Sequence, residues 1–205
     1  MVRVSGREVA SDEDLRSFYR ERIRSFGFSS QGMFYHDTEQ HKRKLLAVSK
    51  ATSAVLNSYP CVRAVLDIGC GYGELLRYLP ACPSYLGIDL VPEFVSEAEV
   101  WYPKLGFITK NIFDGDAPEG DLSILAGVLS SVPDPAKLLA RVLSLSKYAS
   151  IFDVTIEGRL PHHFLDLNRF RGQVVEEIVS RASFVVDYTA DEGASWVLFV
   201  VRRIS

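Results

Sequence analysis

Residues 65–74 read VLDIGCGYGE, and this stretch decides the fold because a short apolar run ends in three alternate glycines. The apolar run is typical of a buried β-strand, and the residues after Gly73 predict a helix. Glycine adopts positive φ and carries no Cβ, so a turn of this kind lets a ligand approach the bare backbone. The N-terminus of the following helix offers unpaired amides to an anionic group. The stretch therefore predicts a ligand site at the tip of a strand.

A second signal stands at the end of the next predicted strand, where Asp89 follows Asp67 by twenty-two residues. An acidic side chain at that place can accept hydrogen bonds from both hydroxyls of a ribose. The dinucleotide-binding fingerprint needs its third glycine at position 74, which is Glu74, whereas the third glycine here is Gly73. This shift disfavours a nicotinamide cofactor, although an oxidoreductase with a nucleotide cofactor stays an alternative.

Strands and helices alternate along most of the chain. The helical runs cover residues 73–79, 93–101 and 135–146, and the apolar strand-like runs cover 62–68, 84–88, 106–110, 122–127 and 149–154. Near-continuous apolarity in the strands predicts a parallel sheet with helices on both faces. After a helical run at 170–182, two strands at 184–188 and 195–201 lie so close in sequence that they predict an antiparallel hairpin.

The N-terminal region has a different pattern. Helical spacing of apolar residues predicts two helices, around residues 15–26 and 45–55, joined by a loop over 27–36. We therefore expect one domain over residues 1–205, in which residues 1–60 form a helical lid on a core of residues 61–205.

Composition excludes several classes of protein. The 205 residues are 47% hydrophobic and 24% charged, with a net charge of -3, so there is no general basic field for nucleic acid. Three cysteines without zinc-site spacing favour a reducing compartment. The start of the chain lacks a signal-peptide core, and no stretch approaches the ~20 apolar residues of a membrane span. We expect a cytoplasmic protein that binds neither nucleic acid nor membrane; its oligomeric state stays open.

The Gly-x-Gly-x-Gly turn after Asp67, with an acid ending the next strand, resembles the S-adenosylmethionine site of class I methyltransferases over about residues 62–155. The leader residues 28–35 and 39–43 are similar to those of small methyltransferases grouped with trans-aconitate methyltransferase. The resemblance implies a Rossmann-like α/β fold: a seven-stranded, mostly parallel sheet with an antiparallel C-terminal hairpin and a two-helix lid. It also implies that Arg43 reaches the cofactor carboxylate.

The resemblance assigns the methionine part of S-adenosylmethionine to the glycine turn. Gly69, Cys70 and Gly71 would lie along this part, Gly73 would complete the turn, and Asp67 would lie near the amino group. The thiol of Cys70 has no His or metal-ligand partner nearby in sequence, so no chemistry is assigned to it.

The resemblance also assigns the nucleoside part. Asp89 would hold the ribose and Leu90 would flank the adenine. Relatives usually place an acid after the third strand to meet the adenine amino group, and here that place holds Asn111, followed by Ile112. Asn111 supplies a carbonyl acceptor without a charge, and Asp114 is an alternative three residues further on.

The reaction implied is an in-line displacement at the sulfonium methyl, for which positioning can contribute ~7 to 11 kcal/mol. Ala126 would lie beneath the sulfonium, and Tyr35 is a candidate to face it. If the acceptor needs a base, the candidates are Asp153, His162 and His163. The small lid and acidic core favour a small-molecule acceptor. A non-catalytic subunit that binds S-adenosylmethionine is the further alternative.

Overall fold

The computed structural model describes residues 2–4, 7–9, 11–35, 37–82, 84–132, 134–155, 184–190 and 196–203. The strands are β1 (Val2–Val4), β2 (Arg7–Val9), β3 (Ala64–Ile68), β4 (Ser84–Asp89), β5 (Gly106–Thr109), β6 (Gly120–Leu125), β7 (Ser146–Thr155), β8 (Phe184–Ala190) and β9 (Trp196–Arg203). The α-helices are α1 (Asp12–Phe26), α2 (Thr38–Ser58), α3 (Pro92–Trp101) and α4 (Pro135–Leu145), and 3-10 helices cover Glu74–Arg77 and Leu129–Ser131.

Seven of these strands form one sheet in the order β5-β4-β3-β6-β7-β9-β8, and β1 pairs with β2 separately. Strands β5, β4, β3, β6 and β7 are parallel, while β9 runs antiparallel to both β7 and β8. The predicted seven-stranded sheet with a C-terminal hairpin is confirmed. The direction of winding reverses between β3 and β6, which in open parallel sheets is where a ligand crevice forms.

Helices cover both faces of the sheet, as the apolar strands predict. Successive residues of β3 point to opposite faces, so Val65 packs in the cluster that contains α2 and α3, whereas Leu66 and Ile68 pack in the cluster that contains α4. Helix α4 begins as predicted, because the carboxylate of Asp134 accepts the N–H of Lys137.

Helix α2 packs on the sheet. Its residues Leu45, Val48 and Val55 are buried in the same cluster as Val65 of β3. The apolar stripe of α2 is therefore used by the core, and α2 is not the second helix of a lid. This differs from the expectation for residues 1–60, because the helical spacing alone does not say which surface the stripe meets.

Helix α1 lies instead against the segment after β4 and the first turn of α3. The Nε of Arg20 lies 2.6 Å from Oε1 of Glu93, and the Nε of Arg16 donates to the carbonyl of Leu90 at 3.0 Å. These contacts and an aromatic cluster around Phe94 hold α1 across the edge of the sheet where β4 ends. The cover is thus formed by α1 and the loop after it.

Three local features differ from, or lie beyond, the sequence pattern. The helix predicted over 73–79 is the short 3-10 helix Glu74–Arg77, and the β1–β2 pair is not signalled by the pattern. The helix predicted over 170–182 lies outside the described residues. Among the described helices, none combines the length and the apolarity needed to cross a bilayer.

Candidate active site

A cavity of about 350 Å³ lies at the carboxyl ends of β3, β4, β5 and β6. The segments that leave these four strands form its floor, while α1 and the loop after it form its cover. The winding of the sheet reverses at this place, so the cavity occupies the expected crevice. The residues predicted to bind the cofactor that line it are Gly69, Gly71, Asp89, Leu90, Asn111, Ile112 and Ala126.

The turn after β3 has a shape that only glycine adopts without strain. Gly69 and Gly71 have φ of 74° and 55°. A Cβ on Gly69 would lie 2.4 Å from Cγ2 of Val128, and a Cβ on Gly71 would lie 2.8 Å from Sδ of Met33. The N–H of Gly69 donates to the carbonyl of Ile88 at 2.7 Å, which ties the turn to β4. The backbone itself therefore forms this wall of the cavity.

Asp89 joins the tips of β3 and β4. One carboxylate oxygen accepts the N–H of Gly71 and the other accepts the N–H of Val91, each at 2.8 Å. The side chain is buried, and burial raises the pKa of its carboxyl although hydrogen bonds from the backbone oppose the shift. A carboxylate can accept about four hydrogen bonds, so these two bonds leave it acceptor capacity toward the cavity.

The cover brings aromatic and apolar side chains over the floor. Tyr19 of α1 lines the cavity and packs edge-on against Phe94, with ring centroids 5.5 Å apart. Burial raises the pKa of the Tyr19 hydroxyl. The loop after α1 adds Met33 and Tyr35. The cavity is consequently enclosed by side chains from the region before residue 61, as the expectation of an N-terminal cover implies.

Tyr35, a candidate to face the reacting group, is positioned against the segment after β6. Its hydroxyl donates to the carbonyl of Ala126 at 3.4 Å. A Cβ on Gly127 would lie 1.8 Å from the Tyr35 hydroxyl oxygen, and Gly127 has φ of 79°. Burial raises the pKa of Tyr35 well above its ordinary value, so the phenol remains protonated. Glycine at position 127 is therefore required for Tyr35 to reach the cavity.

Comparison with known proteins identifies the family. The Methyltransferase domain family matches residues 16–182, which is most of the chain. This chain belongs to that methyltransferase family. The match confirms the predictions of a class I methyltransferase and of S-adenosylmethionine as its cofactor, whereas the trans-aconitate grouping stays a prediction. A search of curated proteins finds no match.

Solved structures share the fold of the methyltransferase at low identity. Magnesium protoporphyrin IX methyltransferase from Synechocystis PCC 6803 with bound S-adenosylmethionine has a TM-score of 0.69 and 17% identity, covering 95% of this chain and 98% of that chain. The plantazolicin methyltransferase BpumL in complex with S-adenosylhomocysteine has a TM-score of 0.68 and 14% identity, covering 94% and 97%. The [4+2]-cyclase SpnF has a TM-score of 0.57 and 13% identity, covering 76% and 81%.

An ion pair lies behind the cavity floor of the methyltransferase. The Nζ of Lys44 is 2.7 Å from Oδ2 of Asp153, and both side chains are buried. The other oxygen of Asp153 accepts the N–H of Gly127. Asp153 does not line the cavity, so its carboxylate does not face an acceptor bound there. Its place in the fold is that of a positioning residue rather than the predicted base.

His41 completes this buried group. Its ring stacks on Tyr35 with centroids 3.6 Å apart, and its Nδ1 lies 3.2 Å from the Ser30 hydroxyl oxygen. Burial, with a smaller contribution from the Lys44 charge, lowers the pKa of His41 to about 3. The imidazole is therefore neutral near pH 7. It holds the Tyr35 ring by stacking of two uncharged rings and not by a cation–π contact.

Asp67 is buried and is not among the residues that line the cavity. The Tyr85 hydroxyl donates to its Oδ2 at 2.7 Å. Burial raises the pKa of the Asp67 carboxyl to about 7, the Tyr85 hydrogen bond opposes the shift, and the charge of Asp89 adds to it. Because Asp67 does not line the cavity, we do not find its carboxylate where direct contact with a ligand amino group would need it.

The remaining predicted residues fall into two groups. Cys70, Gly73 and Arg43 are described but are not among the cavity-lining residues. Burial raises the pKa of the Cys70 thiol well above its ordinary value, which agrees with giving it no chemistry. His162 and His163 lie outside the described residues.

Sequence reasoning missed Lys44, His41 and Gly127. Lys44 and His41 stand on the same helical stripe as Leu45 and Val48, so polar groups on a buried helix face were an available signal. No such signal exists for the contacts of α1 with the end of β4, which span 70 or more residues of sequence, as between Arg16 and Leu90.

Replacing Lys44 with methionine should destabilise the protein strongly. The variant keeps the apolar stem but leaves the Asp153 carboxylate buried without its counter-ion, so we expect the free energy of unfolding to fall by about 3 to 5 kcal/mol. Urea denaturation measures the change. Lys42→Met, at an exposed position of the same helix, is the control, and Lys44→Met/Asp153→Asn should recover much of the loss. Equal effects of Lys44→Met and Lys42→Met would contradict the assignment.

Asp67→Asn should change how stability depends on pH. The folded-state pKa of Asp67, about 7, lies above the ordinary carboxyl value of 3.8, so its stabilising contribution is present below about pH 4 and is lost as the pH rises through 7. The variant carries no charge, and we expect its stability relative to wild type to increase between pH 4 and 7 and then level off. Urea denaturation across this range tests the expectation; parallel pH profiles for the two proteins would refute it.

Proposed function

We propose that the methyltransferase transfers the methyl group of S-adenosylmethionine to a small-molecule acceptor, with the donor lying in the cavity described above. One observation carries the placement of the donor: the glycine turn after β3 and the Asp89 carboxylate at the end of β4 line the same cavity. S-adenosylmethionine supplies a methyl group bonded to a positively charged sulfur.

The residues present fit this cofactor. Gly69 and Gly71 line the cavity and carry no side chain, so the backbone of the turn faces the methionine part. Asp89 combines burial with acceptor capacity, which suits two ribose hydroxyls. Leu90 follows β4 and Ile112 follows the neighbouring strand β5, and both offer apolar contact to the adenine base.

The chain's own contribution to the reaction is positioning. The hydroxyl of Tyr35 and the carbonyl of Ala126 meet at the cavity wall after β6, and oxygen atoms there favour a cationic centre. The Lys44–Asp153 pair holds Gly127 and so holds this wall in place. A rigid wall keeps the nucleophile, the methyl carbon and the sulfur in line. Because the donor is already activated, this alignment is the main contribution that the protein makes to the reaction. Of the four catalytic candidates, Tyr35 is the one that lines the cavity among the described residues.

The proposal of a small acceptor rests on charge and on comparison. The net charge is -3, so the chain lacks the basic field that a nucleic-acid substrate requires. The names of two neighbours state a porphyrin and plantazolicin as acceptors, which are not nucleic acids. The fold alone does not establish methyl transfer, because a [4+2]-cyclase shares it; the non-catalytic subunit stays the alternative.

Calorimetry with S-adenosylhomocysteine should show binding to the wild type and a loss of about tenfold or more in Asp89→Ala, equivalent to at least ~1.4 kcal/mol. The variant removes the proposed ribose acceptor. Asp89→Asn keeps one side-chain oxygen as an acceptor for the backbone N–H groups. It serves as the second variant if Asp89→Ala does not fold. Asp114→Ala, at an exposed position that does not line the cavity, is the matched control. Undiminished affinity in both Asp89 variants would remove the ribose assignment.

Donor labelled on its methyl group should pass label to the small-molecule fraction of a cell extract, and not to its protein or nucleic-acid fractions. The transfer should be weaker in Asp89→Ala at a donor concentration that does not saturate the variant. Label in a macromolecular fraction would contradict a small acceptor. Donor binding without transfer to any fraction would favour the non-catalytic alternative.

A further inference from the structure

The side chain of Asn111 is oriented by two partners. Its Oδ1 accepts the N–H of Phe113 at 2.9 Å, and its Nδ2 donates to Oδ2 of Asp12 at 2.6 Å. Turning the amide over would break both hydrogen bonds at once, so the assignment of oxygen and nitrogen follows from the partners. Asn111 consequently has its carbonyl oxygen committed to the backbone of its own turn.

This orientation changes the expectation for the base. The sequence resemblance gave the Asn111 carbonyl to the amino group of the adenine. An amino group needs an acceptor, and the amide nitrogen of Asn111 is a donor that already points to Asp12. The acid that relatives carry after the third strand is absent at position 111, but a carboxylate is brought beside it by α1.

Asp12 is held in place by the start of its helix. Ser11 caps α1 through a capping box with Asp14, so Asp12 itself is not used for capping. One turn later, Arg16 donates to the carbonyl of Leu90, the residue that follows Asp89. Asp12 therefore sits over the part of the cavity that lies beyond the ribose site, and it lines that cavity.

From these contacts we infer that the Asp12 carboxylate accepts a hydrogen bond from the 6-amino group of the donor's adenine, with Asn111 as the residue that orients Asp12. The inference rests on the proposed function, since it needs the donor in this cavity. Recognition of the base is then completed by the cover rather than by the sheet alone.

The charges around Asp12 are compatible with this role. Lys110 lines the same region, but its Nζ lies 2.6 Å from Oδ1 of Asp116. Lys137 lies over the ring of Phe113, with Nζ 5.1 Å from the centroid. These ammonium groups thus have partners of their own, while Asp12 faces the cavity beside Asn111. A negatively charged acceptor there favours a base that carries an amino group over one that does not.

The test measures the preference for the amino group by calorimetry. The two ligands are S-adenosylhomocysteine and its analogue in which hydrogen replaces the 6-amino group. A hydrogen bond to a charged acceptor predicts that the wild type binds the first about tenfold more tightly. In Asp12→Ala this preference should fall to about twofold or less, because the acceptor is gone.

Glu13→Ala is the matched control, since Glu13 is an exposed acid of the same helical turn whose partners are Arg16 and Arg20. It should keep the wild-type preference. Asp12→Ala that keeps the full preference would overturn the inference, and so would equal weakening of both ligands, which indicates a structural role. If the wild type binds neither ligand, the proposed donor site fails as well, so the two failures are distinguishable.

Discussion

The carboxylate of Asp89 accepts the N–H groups of Gly71 and Val91, and through these bonds it joins the tips of two neighbouring parallel strands. The turn that places Gly71 beside Asp89 has positive φ at the alternate glycines Gly69, Gly71 and Gly73. A buried carboxylate is costly unless its oxygens are satisfied, so the turn and the acid stabilise each other. The glycine turn and Asp89 together form the floor of the cavity at these two strand tips. The cover contacts the tip of β4 through the hydrogen bond from Arg16 to Leu90.

A buried ion pair positions the cavity wall that follows β6. Lys44 reaches from α2 to Asp153 at the end of β7, and Asp153 in turn holds Gly127. This chain of contacts places Tyr35 against Ala126 while neutral His41 supports its ring. The polar groups of α2 thus shape the site from behind, although α2 belongs to the core and not to the cover.

Much of the fold could be predicted from local sequence. The apolar runs located the strands, and Asp134 marked the start of α4. The glycine turn and Asp89 marked the floor because backbone conformation and strand-end position are local properties. Helix periodicity predicted α1 and α2, but it assigned both to a lid, since periodicity reports that a face is buried and not what it meets. The same limit applies to the candidate base Asp153, because its partner Lys44 is 109 residues away in sequence.

The sequence by itself located the strands of the seven-stranded sheet, the turn of glycines and the resemblance to the family, because each depends on neighbouring residues or on a short fixed spacing. Only the tertiary structure decided which side chains surround the cavity. Asp12 meets Asn111, and Lys44 meets Asp153, through packing between segments about 100 residues apart. Contacts of that range depend on the packing of whole elements against each other, and no pattern within a segment specifies them.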